Sequence, residues 1–161
     1  MRKLKPYFLA LLLITSIPLT TITSQAANLP TFQQYRSTER SNRRPAPVNL
    51  NSPGARRFRT VLTNGAKQGP NFAGHYTVVI WGCGTSCQSM AIVDAKNGRV
   101  YMQGVTAEAG VKYQINSRLL IVNPPEELAS YGANKPDWLY SRYYVWENNR
   151  LRQIYPATRN R

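Results

Sequence analysis

The chain has 161 residues, with 21 Lys and Arg against 7 Asp and Glu, for a formal net charge of +14. That length suits one domain. One histidine and two cysteines fall one ligand short of a four-coordinate zinc site unless a carboxylate joins them, and the serine-hydrolase and phosphate-loop strings are absent.

Residues 1–26 read as a secretory signal peptide. Arg2, Lys3 and Lys5 form a basic start, Tyr7 to Ile17 an apolar run, and Ser24-Gln25-Ala26 a small-residue cleavage site. The alternative is an uncleaved anchor. A spanning helix wants about 20 apolar residues, and Pro18 interrupts this run. Cleavage after Ala26 leaves 18 basic against 7 acidic residues, a net +11. The expected location is secreted or periplasmic, with membrane contact only through the leader before cleavage. Such a charge attracts anionic surfaces. An anionic envelope polymer or an acidic protein is the expected partner, and export argues against nucleic acid. A basic protein with no such partner stays an open alternative.

Residues 27–51 read as a flexible basic N-terminal arm, with prolines at 30, 45 and 47 and with Arg36, Arg40, Arg43 and Arg44. Few large apolar residues are available to pin it down. The remainder, 52–161, reads as a single globular domain. Ser52-Pro53 opens a helix running to about Gly65. Ala55, Phe58, Val61 and Leu62 share its apolar side and pack it on a sheet. Arg56, Arg57 and Arg59 lie in its first turns, where cations oppose the helix dipole. A local rule broken in this way points to a binding surface.

The organising stretch is Gly74 to Asp94. Tyr76–Gly82 and Gln88–Asp94 are apolar and of strand length. Setting Cys83 against Cys87 puts Ile80 opposite Met90 and Val78 opposite Ile92 on one face. Trp81 then faces Ser89, and Val79 faces Ala91, on the other. Both faces are apolar, so the hairpin is expected to be covered on both sides. Further hairpins follow: one turning at Gly98 onto Val100–Val105, one across Asn116-Ser117, and one joining 138–147 to 151–155 across Asn148-Asn149. Asn123 is placed to cap a short helix from about Pro125. The fold class is mainly β (α+β): an antiparallel meander of about seven short strands with one N-terminal helix packed on the sheet.

The strings GPNFAGHY, WGCGTSCQ and VDAKNGRVY, with YYVWENNRL near the end, resemble a family of small secreted bacterial proteins that has no assigned activity. The resemblance covers roughly Ser52 to Tyr155. It implies export and the central hairpin, and carries over no catalytic residue and no ligand.

In an exported chain, Cys83 and Cys87 are better explained as a disulfide than as a nucleophile served by His75. No catalytic residue, metal ligand or cofactor is assigned. The expected function is a non-catalytic exported binding protein, in the manner of an inhibitor or immunity protein. Its basic, aromatic surface is drawn from Arg56, Arg57, Arg59, His75, Trp81, Tyr140, Arg142 and Tyr144. On a strand, Tyr140, Arg142 and Tyr144 share a face. Arg and Tyr together suit an interface, although ordinary cross-strand packing competes with that reading. The alternative function is an exported hydrolase using His75.

Overall fold

A computed structural model describes residues 28–156, so the expected leader at residues 1–26 lies outside the described residues. Seven antiparallel strands form two sheets. The first sheet has β1 (Tyr76–Gly84), β2 (Cys87–Asp94) and β3 (Val100–Ala107) in the order β1-β2-β3. The second has β4 (Val111–Tyr113), β5 (Leu119–Val122), β6 (Arg142–Glu147) and β7 (Arg150–Tyr155), also in chain order. The connections between consecutive paired strands are short except that from β5 to β6, residues 123–141, which carries a short helix.

The central hairpin has the register expected from setting Cys83 against Cys87. Val78 pairs with Ile92, Val79 with Ala91, Ile80 with Met90 and Trp81 with Ser89. Its tip differs. A bulge between Gly82 and Gly84 sets Gly84, not Cys83, opposite Cys87. The disulfide still forms, because the two Cα atoms are 5.1 Å apart, inside the usual bridging range. Gly98 takes φ 73°, and Asn148 and Asn149 take φ 50° and 61°. These left-handed turns match the twist of their hairpins. β4 and β5 pair Val111 with Val122 and Tyr113 with Leu120, the register of a turn centred on Asn116-Ser117.

The two sheets pack face to face. Val78, Met90 and Ile92 of the first meet Leu120, Val122, Tyr144 and Trp146 of the second, around a fully buried Phe72. The rings of Tyr76 and Tyr101 approach Trp146 edge-on at 5.1 and 5.3 Å. Such pairs each add about 0.5–1.5 kcal/mol beyond the area they bury. The outer face of the first sheet buries Val79, Ala91 and Val93 against two helices, α1 (Pro53–Arg57) and α2 (Arg59–Ala66). Gly65 lets α2 approach closely, since a Cβ there would stand 2.7 Å from Val79 Cγ1.

Ser52 caps α1 as expected, its Oγ accepting from Ala55 N at 3.1 Å. The single predicted helix is instead kinked at Phe58 (φ −105°, ψ 23°). Arg56 and Arg57 consequently fall in the last turn of α1, where cations suit the dipole, so the predicted dipole conflict does not arise for them. Asn123 does not cap α3 (Pro125–Ala129), whose N-cap is Pro124. At φ 54°, Asn123 turns its side chain to the β3–β4 connection. There its Oδ1 accepts from Glu108 N and Ala109 N, both at 2.9 Å.

Segment 28–51 lies against the domain as a strap, where the sequence predicts an exposed arm. Phe32 and Tyr35 cover the outer face of the second sheet, and Val48 and Leu50 cover that of the first. These four residues are the apolar anchors the arm was expected to lack. Arg118 N donates to Tyr35 O at 2.8 Å, Ser41 N to Gly74 O at 3.2 Å, Ala46 N to Ala95 O at 2.9 Å and Asn49 N to Gly98 O at 2.8 Å. The strap presses on bare glycine twice. A Cβ on Gly74 would stand 1.9 Å from Glu39 O, and one on Gly98 1.8 Å from Pro47 O.

Candidate functional site

The strap and the two helices that follow it concentrate positive charge. Between residues 28 and 67 stand eight cations and one acid, Glu39. Among the described residues, Arg40, Arg43 and Arg44 enter no salt bridge, whereas Lys96, Lys112, Arg142 and Arg152 each do. The three strap arginines are exposed, and with Ser41, Asn42 and Lys96 they line a cavity of about 380 Å³. An adjoining groove of about 720 Å³ continues from Arg44 past Pro45 and Pro47 to Thr63 and Lys67 on α2. Grouped like charges without counter-charges repel one another, and a bound anion relieves that repulsion. Guanidinium forks suit carboxylate and phosphate groups in particular.

A second basic feature sits where the helices meet the central hairpin. Phe58 stacks on Trp81 with centroids 4.7 Å apart, and the Arg57 guanidinium lies 5.5 Å over the Phe58 ring. Arg57 and Trp81, both predicted as binding residues, are thus joined through Phe58. Arg56 belongs to the scaffold: its Nη1 donates to Asn51 O at 2.7 Å and tethers the end of the strap. Arg59 is exposed at the start of α2.

The predicted aromatic face around Arg142 is not an outer surface. Tyr144 is buried between the two sheets, and Tyr143 is buried on the opposite face under the strap. Both faces of β6 are covered, so cross-strand packing accounts for its aromatic residues. Arg142 latches the sheets together, its Nη2 donating to Thr106 O at 2.7 Å and standing 3.3 Å from Glu108 Oε2. Tyr140 remains exposed, beside the more exposed Trp138.

His75 sits in the seam between the strap and the first sheet. Its side chain is 8% exposed. Nδ1 is 3.0 Å from Glu39 Oε2, but no hydrogen bond of usable direction joins them, and this buried nitrogen lacks a partner. Nε2 is 3.8 Å from Asp94 Oδ1. Burial pushes the imidazole below its ordinary pKa and Lys96 adds to this, against the pull of Asp94 and Glu39. Burial outweighs the carboxylates, because the closer one is itself held by Lys96 and exposed to water. The Asp94 carboxylate is occupied in its own turn, accepting from Lys96 N at 2.8 Å and Asn97 Nδ2 at 2.9 Å. With both cysteines bridged, no thiol is available for His75 to activate. Among the described residues, no three His, Cys, Asp or Glu side chains gather as a metal-ligand set.

Sequence reasoning missed Glu39 as the partner of His75 and Lys96. It also missed Asn71, whose side chain binds both backbone groups of Val78. The lone acid within a basic stretch was the signal for the first. An Asn after Pro70 beside a strand start was the signal for the second. No family model matches the chain, and no curated protein and no solved structure matches it.

Proposed function

We propose that this chain is an exported, non-catalytic binding protein that holds an anionic envelope polymer on its strap. The single observation that carries the reading is the cavity in which Arg40, Arg43 and Arg44 converge without a carboxylate partner among the described residues. The groove that continues to Lys67 gives a chain-like polyanion a path longer than one charged group. The Cys83–Cys87 disulfide fits an oxidising compartment, and the pattern of residues 1–26 supports export.

The hydrolase reading gains no support from His75, whose ring is enclosed and whose carboxylate neighbours serve the strap and a turn. Co-sedimentation with purified anionic envelope polymer tests the proposal. Binding should be strong at about 0.1 M salt and lost near 1 M, as the Debye length falls from about 10 Å to about 3 Å. Equal binding to a neutral glycan would contradict it.

A further inference from the structure

β1 lies at the edge of its sheet, and only part of that edge is closed. Tyr76 exchanges both backbone hydrogen bonds with Phe72 at 2.9 Å. Val78 N donates to Asn71 Oδ1 at 2.8 Å, and Val78 O accepts from Asn71 Nδ2 at 3.2 Å. Tyr76 and Val78 therefore turn their backbone groups away from β2. Strand alternation turns those of Ile80 and Gly82 the same way. Among the described residues no backbone or side chain receives them. The bulge after Gly82 ends the open stretch.

An unpaired edge is a template for another strand. Neither charge nor proline blunts this one between Ile80 and Gly84. A Cβ added at Gly82 or Gly84 would meet nothing within 4 Å, and bare glycine admits the close approach of a second backbone. A groove of about 580 Å³ runs between this edge and the helices. Beside Ile80, Arg57, Val61, Asn64 and Gln68 border it with no carboxylate, whereas Glu108, Glu126 and Glu127 border the cavities on the other side of Ile80 and Gly82, so acidic side chains of an added strand would face the helices.

We propose that the edge from Ile80 to Gly82 takes an extended, acidic segment of a partner protein by strand addition, with Arg57 beside it to pair with the carboxylates. On the Arg57 side charge selects a foreign acidic segment over a second copy, since self-pairing would bring two strongly basic chains together. The inference stands apart from polymer binding, because Arg40, Arg43 and Arg44 do not line this groove.

The probe is a capped hexapeptide alternating glutamate with valine, added in excess to the full chain while amide exchange is followed by NMR. Exchange at Ile80 and Gly82 should slow by about tenfold or more. A peptide of the same sequence, N-methylated along its pairing edge, should give no protection. Gly82→Pro removes one outward N–H at an edge position that tolerates proline. It should weaken the peptide about tenfold and leave melting and polymer binding unchanged. If that variant does not fold, Arg57→Glu on the exposed helix face substitutes for it and should shift preference to a lysine–valine peptide. Unchanged exchange at both amides, or equal protection by the N-methylated peptide, would overturn the proposal. Protection that grows with protein concentration alone would also overturn it, by assigning the edge to a second copy.

Discussion

Glu39 Oε2 stands 3.0 Å from His75 Nδ1, so the one acid of the strap meets the one histidine of the chain at the foot of β1. The contact places a titratable group in the seam that holds the strap down. Burial lowers the imidazole pKa from its ordinary 6.5, with Lys96 acting in the same direction. In the unfolded chain the ring takes up a proton that the folded chain refuses. Stability is therefore whole above about pH 6.5 and declines as pH falls from there toward the folded pKa. Glu39, held low chiefly by its hydrogen bond to Lys96, acts in a separate window below its ordinary 4.5. An NMR titration of His75 should give a midpoint under 6.5, and His75→Gln should flatten the acid-side loss. A midpoint above 6.5 would mean that the carboxylates outweigh burial.

Leu62 is fully buried, whereas Phe58 is half-buried on Trp81. Leu62→Ala should cost about 2–5 kcal/mol. Phe58→Ala should cost less, because part of its ring is already wet. Urea unfolding of the two variants gives the order. A Phe58 variant less stable than the Leu62 variant would mean that the Arg57–Phe58–Trp81 stack supports the fold more than it borders a surface.

Gly98→Ala places a methyl against Pro47 O in a left-handed turn. The turn strain alone is about 1–2 kcal/mol, and the overlap must lift the strap at Pro47. Trypsin cleavage after Arg40 and Arg43 should accelerate in this variant under native conditions. Unchanged cleavage would mean that the strap is held elsewhere.

The Cys83–Cys87 bridge closes a very short loop. The chain-entropy model gives it only about 2 kcal/mol. Thiol titration of denatured, unreduced protein should find none. The double Cys83→Ser, Cys87→Ser variant should remain folded with a modestly lower midpoint. Loss of folding would mean that the hairpin tip organises the rest of the sheet.

The hairpins were legible because apolar runs of strand length are separated by turn residues that accept positive φ, as at Gly98 and Asn148-Asn149. The strap was not. Phe32, Tyr35, Val48 and Leu50 follow no period, and their docking sites lie on two different sheets. The assignment of Tyr144 to a binding face failed for a related reason. A strand covered on both faces has no polar side to mark it as interior, so the ring of Tyr144 was open to a surface reading beside ordinary packing. The kink at Phe58 has neither Gly nor Pro to announce it. Of the predicted binding residues, Arg57 and Trp81 come together, while Arg142 and Tyr144 join the two sheets and Arg56 holds the strap.

The triple variant Arg40→Gln, Arg43→Gln, Arg44→Gln removes the charge of the strap cavity from exposed positions that make no ion pair among the described residues. Melting should stay within the usual span of surface substitutions, about 0.5 kcal/mol. The decisive quantity is the affinity for a soluble polyanion, measured by calorimetry with polyphosphate and with polygalacturonate across a salt series. Affinity should fall for both polymers, and the slope of log K against log salt should flatten. A variant that melts like the parent and binds both polymers with parental affinity and salt slope would contradict the assignment of this cavity as the binding site.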